Sequence, residues 1–170
     1  MAAREDGTGQ PLVWLGGAWS RTQTILAQRH QVIAGPAPEL ARFDLVGEGA
    51  AAADALRLAL ERPDAVRTLV LVGPTILAGD GSAKDAALAA RMGDQKLPCL
   101  AVFATRDAAA PLEAARHYKT RMPGCNLVFV YDTGARMTEE RPEAVASLIG
   151  DFLERHDLFL VRRESDVIHP

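Results

Sequence analysis

The sequence has little of what marks the common specialised classes of protein. Among 170 residues there are only two cysteines and four histidines, and their spacing contains no CxxC or HxxxH-type cluster that would indicate a metal site. The net charge of −3 gives no electrostatic case for binding to nucleic acid or to an acidic membrane. No apolar run approaches the length of a membrane span, and the polar residues 1–10 do not resemble a signal peptide. We therefore expect a cytoplasmic protein without metal, cofactor, nucleic acid or membrane.

Aromatic residues are also few, with two Trp, two Tyr and five Phe, although 48% of the residues are hydrophobic. Abundant Ala, Val and Leu suit an α/β protein whose helices pack tightly through small side chains. The high usage of Ala, Arg and Asp indicates a GC-rich bacterial source. Cys99 and Cys125 stand at the starts of two apparent strands. They form either a disulfide or two buried thiols, and the thiols are favoured in a cytosolic protein.

Apolar runs alternate with helical segments through most of the chain, and Ser20 is placed to cap the first helix. Because each run is uniformly apolar, we expect the strands to form a parallel sheet that is covered on both faces. The predicted fold is a three-layer α/β sandwich with a mainly parallel sheet of about six strands. The predicted strands are residues 11–15, 31–34, 43–46, 68–72, 99–104 and 126–131, and the predicted helices are residues 21–28, 50–61, 83–92, 111–121 and 142–155.

The chain divides into a flexible leader over residues 1–10, one domain over residues 11–157 and a tail over residues 158–170. The predicted sheet has QVIA (31–34) at one edge and LVFVY (127–131) at the other. Unprotected edges invite pairing with another chain. The apolar LFLV at the start of the tail either covers an edge within the same chain or docks on a partner.

The residues Phe43 to Ala51 read as a short strand, a turn flanked by glycines and the start of an alanine-rich helix. In such a strand–turn–helix setting a serine is often held on a sharp turn as an exposed nucleophile. Here the middle position of the turn is Gly49, which tolerates the turn conformation but offers no side chain.

Three stretches, in the right order, resemble the α/β-hydrolase fold family over roughly residues 11–155. FDLVGEGAAAADALRLALERPDAVRTLVLVGP resembles the family's elbow strand, elbow helix and following strand. PCLAVFATRDAAAPLEAARHY is similar to its acid-bearing strand and loop. LVFVYDTGARMTEERPEAVASLIGDFL resembles its last strand, histidine loop and final helix.

The resemblance assigns the family's active positions to residues of this chain. The nucleophile position falls on Gly49, the usual acid on Asp107, and the histidine position on Ala135. A triad needs a nucleophile, a base that takes its proton and an acid that orients the base. The resemblance therefore implies vestigial triad positions and no enzyme activity.

The resemblance also implies a reduced version of the fold. The first two strands of the family's usual eight-stranded sheet are expected to be absent, because only ten polar residues precede PLVWL. About eight residues rich in proline replace the helix between QVIA and FDLV. The cap after TLVLV is reduced to about 25 residues with one helix, which leaves little to enclose a substrate.

Three functions remain open. The first is a non-catalytic α/β-hydrolase homologue, a pseudoenzyme that acts as an accessory, structural or regulatory subunit through contacts with a protein partner or a second copy. The second is a small-molecule binding protein with a vestigial pocket near Gly49, Asp107 and Ala135. The third is a hydrolase with unconventional residues. The candidate ligand-binding residues are Gly17, Trp19, Glu48, Gly49, Ala50 and Asp107.

Three of these candidates have a second interpretation. Trp19 either packs at the start of a helix or belongs to an interface, together with the Gly16–Trp19 loop. Asp107 either lies in the pocket or caps the turn before Pro111. The Glu48 side chain is expected to point away from the space that a side chain at Gly49 would use. Backbone amides near Gly17 and Ala50 are expected to form a nest like an oxyanion hole.

Overall fold

A central seven-stranded sheet organises the chain, in the strand order β1-β3-β2-β4-β5-β6-β7. The computed structural model describes residues 3–156 and residue 158. β1 pairs with β3 antiparallel, and all other neighbours are parallel. The predicted α/β sandwich with a mainly parallel sheet is confirmed. The strands are β1 (Arg4–Asp6), β2 (Gln10–Leu15), β3 (His30–Ala34), β4 (Phe43–Glu48), β5 (Val66–Val72), β6 (Cys99–Ala104) and β7 (Cys125–Val130).

Helices cover both faces of the sheet and create two hydrophobic cores. Successive residues of a strand point to opposite faces, so Val13 belongs to one core while Leu12 and Trp14 belong to the other. The first core packs against α2, α3 and α4, and the second against α1, α5 and α6. The helices are α1 (Arg21–Leu26), α2 (Ala52–Glu61), α3 (Ala86–Ala90), α4 (Leu112–Arg121), α5 (Met137–Glu140) and α6 (Pro142–Arg155).

Local sequence signals explain where several helices begin. Ser20 caps α1, as predicted: its side chain accepts a hydrogen bond from the Thr22 amide, and the Gln23 side chain accepts one from the Ser20 amide. This reciprocal pair forms a capping box. α6 begins with Pro142, whose missing N–H costs nothing at a first-turn position.

The amino-terminal residues differ from the prediction. Residues 1–10 were expected to form a flexible leader, but Arg4–Asp6 form β1 and Gln10 begins β2. β1 lies outside β3, so the QVIA strand is not the edge of the sheet. The prediction that two strands of an eight-stranded sheet are absent is wrong by one strand. All three residues of β1 are polar and exposed, so their pairing leaves no hydrophobic pattern in the sequence.

The connections are short at the places that the sequence indicated. Residues 35–42, which link β3 to β4, contain no helix. The segment between β5 and β6 holds α3, a 3₁₀ turn, Met92–Asp94, and an isolated bridge between Leu77 and Ala83. Residues 132–141 were predicted as a polar loop, but they contain α5, because Met137 and Thr138 are buried against the body of the protein.

The tail prediction falls on residues 158–170, of which only Leu158 lies within the described part of the chain. Within residues 3–156, no helix combines the length and the apolar character needed to cross a membrane.

Candidate functional site

The turn at the carboxyl end of β4 has the sharp geometry that the sequence predicted. β4 runs into a 3₁₀ turn, Gly49–Ala51, and α2 follows directly. Gly49 has φ of 59°, and a Cβ built there would meet no heavy atom within 4 Å. A Cβ on Gly47 would lie 2.8 Å from the Ala52 Cα, so this glycine is needed for the close approach of α2 to the strand.

This turn forms one wall of an open cleft of about 480 Å³, which we call the elbow cleft. The structure brings five of the predicted site residues together there: Gly17, Glu48, Gly49, Ala50 and Ala135. Trp19 and Asp107 are not among its lining residues. The residues of the elbow cleft are Gly16, Gly17, Ala18, Glu48, Gly49, Ala50, Ala51, Ala135, Arg136, Thr138 and Glu139.

Glu48 is the ionisable residue most firmly held in the elbow cleft. Its Oε2 accepts a hydrogen bond from Trp14 Nε1 at 2.9 Å, and its Oε1 accepts one from Thr138 Oγ1 at 2.8 Å. Burial raises the pKa of the Glu48 carboxyl, and these two hydrogen bonds partly oppose that rise. The carboxylate also lies so close to Gly17 that a Cβ at that glycine would clash with it. Glu48 therefore ties β2 to α5 across the cleft.

Asp107 is 7% exposed and its carboxylate is used in a turn. Oδ1 accepts hydrogen bonds from the amides of Ala109 at 2.8 Å and Ala110 at 3.3 Å. These bonds are those of a residue that caps the turn before Pro111, which is the second interpretation that the sequence left open.

Trp19 lies at the start of α1, outside the elbow cleft. Its Nε1 donates a hydrogen bond to Thr24 Oγ1 at 2.9 Å, and the Arg4 guanidinium lies 4.2 Å from its ring centroid. The cation–π contact joins β1 to the loop after β2. Trp19 thus packs at a helix start, although it remains half-exposed.

No protein-family profile and no curated protein matches the sequence, whereas solved structures match its fold closely. One is a serine hydrolase involved in carbazole degradation, at TM-score 0.74 and 17% identity over 89% of this chain and 93% of that one. Another is the enol-lactonase from Burkholderia xenovorans, at TM-score 0.76 and 15% identity over 90% and 96%. A third is an α/β hydrolase enzyme from the sediment metagenome of the Mar Chica lagoon, at TM-score 0.74 and 18% identity over 90% and 94%. The chain has the α/β-hydrolase fold.

Within this α/β-hydrolase fold, the elbow cleft lies where the resemblance placed the nucleophile and histidine positions, Gly49 and Ala135. Its lining residues include no serine, cysteine or histidine. The one hydroxyl among them, on Thr138, belongs to a residue that is 3% exposed and is already bonded to Glu48. In the part of the chain that the structure describes, no group of three or more His, Cys, Asp or Glu side chains is placed to hold a metal ion.

The sequence did not indicate which residues hold the Glu48 side chain. Trp14 reads as an ordinary core residue of β2, and Thr138 as part of a polar loop. They are 34 and 90 positions from Glu48 in the chain, so no local pattern connects them with it. Arg136 and Glu139, which pair with each other, reach the cleft only because α5 forms.

Proposed function

We propose that this protein is a non-catalytic α/β-hydrolase homologue that acts as an accessory, structural or regulatory subunit through protein–protein contacts. The proposal rests on the conformation of the turn Gly49–Ala51 that follows β4. Gly49 holds the nucleophile turn at φ of 59°, yet the space where a nucleophile would stand is open. The fold has kept the turn while the position has no reactive group.

The surroundings of the turn support the same conclusion. Acyl transfer needs a base within hydrogen-bond reach of the nucleophile and an acid that orients this base. Ala135 supplies no base, and the Oδ1 atom of Asp107 already accepts bonds from two backbone amides. Glu48 is held by Trp14 and Thr138, which makes it a bridge between elements.

A protein that acts through contacts needs an exposed surface with apolar side chains. β7 is the last strand in the sheet order, as predicted for the LVFVY segment. Phe129 in β7 is 39% exposed, and Tyr131 directly after it is 75% exposed. Exposed aromatic side chains are enriched at protein interfaces, so we place the contact surface at Phe129 and Tyr131. The occupant is a partner protein or a second copy of the chain.

The contact surface can be tested with single charges. The full chain is tagged and recovered from cells of its source, and its assembly state is read by native mass spectrometry. We expect a defined partner or homo-oligomer that is lost in Tyr131→Asp and retained in Gln28→Asp, which adds a charge at an exposed site away from β7. A wild-type monomer without any partner would refute the proposal. Equal loss in both variants would refute the placement at β7.

The non-catalytic character has a separate test. With chromogenic esters, we expect the wild-type protein to hydrolyse substrate no faster than buffer. A rate above buffer that falls in Asp107→Asn or in Glu48→Gln would show that the site retains chemistry, and the proposal would then be wrong.

A second candidate function is small-molecule binding in the elbow cleft. The volume of the elbow cleft, about 480 Å³, favours this hypothesis, because ligand pockets commonly have volumes of about 300–1,000 Å³. A thermal-shift screen with acyl and acidic metabolites tests it, with Ala135→Phe as the control, since a larger side chain at this exposed lining position takes up part of the cleft. A ligand of the cleft raises the melting temperature of the wild type and not of the variant. A shift of equal size in both would place the ligand elsewhere.

A further inference from the structure

Two cysteine side chains lie in contact at the end of the sheet opposite to the elbow cleft. Cys99 is the first residue of β6 and Cys125 the first residue of β7, and they are direct partners in the parallel register. The Cys125 thiol donates a hydrogen bond to Cys99 Sγ at 3.1 Å, and no disulfide joins them. The sequence left a disulfide and two thiols as alternatives, and the structure contains the thiols.

The backbone at this pair suits a covalent bridge. Neighbouring strands lie about 4.8 Å apart. This spacing falls within the Cα separation of about 4.4–6.8 Å that disulfides span. Both side chains point to the face of the sheet that packs against α4, within one hydrophobic core. The spacing of the strands is therefore compatible with a disulfide, and the two sulfur atoms already lie 3.1 Å apart.

One of the two cysteines is a wall residue of a cleft. Cys125 lines a cleft of about 330 Å³ at the amino ends of β6 and β7, which we call the thiol cleft. Its walls are the loop before β6 and the loop before β7, and Lys96 is among its lining residues. Cys99 does not line this cleft, and both cysteines are buried, with Cys99 0% and Cys125 1% exposed. Buried thiols in apolar surroundings are ordinarily inert, and the position of Cys125 in the wall of the thiol cleft is what distinguishes it from Cys99.

We propose that Cys99 and Cys125 form a redox site, at which a peroxide oxidises the pair to a disulfide that fastens β7 to β6. The Cys125 thiolate attacks one oxygen of hydrogen peroxide, the O–O bond breaks, and the products are the sulfenic acid of Cys125 and hydroxide, which takes up the proton released by the thiol. The Cys99 thiol then attacks the sulfur of the sulfenic acid. An S–S bond forms, the S–O bond breaks, and a second water leaves.

In this sequence Cys125 is oxidised and Cys99 resolves the intermediate. Both electrons come from the two sulfur atoms, and the peroxide is reduced to two waters, so no further reactant is needed. A thiol carrier that reduces the bridge would return the pair to its starting state. The site is independent of the proposed function, because it uses neither the elbow cleft nor the exposed aromatic side chains of the contact surface.

The experiment oxidises the folded protein and follows the two thiols. Purified full-length chain is treated with hydrogen peroxide at neutral pH without denaturant, and intact mass and accessible thiols are measured after alkylation under unfolding conditions. We expect a monomer that has lost both thiols and about 2 Da, the mass of two hydrogens. Dithiothreitol should restore both thiols.

Two alanine variants assign the order of the steps. In Cys99→Ala the sulfenic acid of Cys125 has no resolving partner, so we expect it to be trapped by dimedone. In Cys125→Ala the remaining Cys99, which is not a wall residue of the cleft, should stay reduced under the same treatment. Equal dimedone labelling of both variants would overturn the assigned order.

The wild-type protein decides the proposal even where a variant fails to fold. The proposal is overturned if both thiols survive peroxide in the native state and react only after unfolding. It is also overturned if oxidation yields only intermolecular dimers or sulfinic acid without an intramolecular bridge.

Discussion

Glu48→Ala is the sharpest test of how the elbow is held together. In the folded protein the Glu48 carboxylate accepts hydrogen bonds from Trp14 Nε1 and Thr138 Oγ1. Trp14 is fully buried and Thr138 is 3% exposed, so neither donor can turn to solvent when the carboxylate is removed. The substitution therefore leaves two buried donors without an acceptor.

The expected loss follows from these contacts. Each buried donor left without a partner costs about 1–3 kcal/mol, which gives about 2–6 kcal/mol for both. The substitution also removes the cost of burying the carboxylate, which offsets part of this loss. We therefore expect a net loss of about 2 kcal/mol in the free energy of unfolding. Glu48→Gln is the matched control. Its amide oxygen accepts from Trp14 and its NH₂ group donates to the Thr138 hydroxyl, so both bonds persist.

The pH dependence provides a second measurement on the same residue. Burial raises the pKa of Glu48 above its ordinary value of 4.5, so the folded protein holds this proton more tightly than the unfolded chain. The resulting stabilisation is fully present below that ordinary value and is lost as pH rises through the raised pKa. The stability of Glu48→Gln relative to wild type should therefore increase with pH across this window, by at most about 1.4 kcal/mol per pH unit.

Urea denaturation of wild type, Glu48→Ala and Glu48→Gln between pH 4 and pH 8 provides both readouts, and other titrating groups cancel in the comparison with wild type. A Glu48→Ala protein as stable as wild type would refute the argument that Glu48 ties β2 to α5. A Glu48→Gln protein whose stability follows the wild-type pH profile would refute the raised pKa.

Three further substitutions can be measured by urea denaturation. Gly49→Ala should lower the free energy of unfolding by about 1–2 kcal/mol, because an alanine is strained at a φ of 59°. Gly124→Ala is the control: its added Cβ also meets nothing within 4 Å, and we expect no loss. Equal losses in both variants would contradict backbone strain at Gly49. Asp107→Ala should lower the free energy of unfolding by about 1–3 kcal/mol, because the amides of Ala109 and Ala110 lose their acceptor. Asp107→Asn keeps an acceptor oxygen and should lose less. Equal losses in both variants would argue against the capping role. Thr68→Val removes the hydrogen bond of 2.8 Å from Thr68 Oγ1 to the buried Asp44 carboxylate and should lower the free energy of unfolding by about 1.5–3 kcal/mol. Thr68→Ser, which keeps the hydroxyl, is the control. No loss in Thr68→Val would contradict the contribution of that hydrogen bond.

The sequence predicted most of the sheet and much less of the site. All six predicted strands lie within two residues of the observed ends of β2 to β7, because a buried parallel strand is a continuous apolar run that can be read locally. β1 was missed since Arg4–Asp6 pair with β3 through the backbone and leave no such run. α5 was missed for a related reason, because Met137 is followed by the three polar residues Thr138, Glu139 and Glu140, which leave no apolar pattern in the sequence.

The amino-acid sequence alone placed glycine at position 49 and alanine at position 135, neither of which carries a nucleophilic or basic side chain. It also indicated the order of the six apolar strands and of the helices other than α5. Tertiary structure alone decided what the remaining polar groups do. It brings the donors Trp14 Nε1 and Thr138 Oγ1 to the Glu48 carboxylate, and it places Cys99 against Cys125 on neighbouring strands. These partners are far apart in the chain, and only the packing of the sheet and its helices brings their atoms within hydrogen-bond distance.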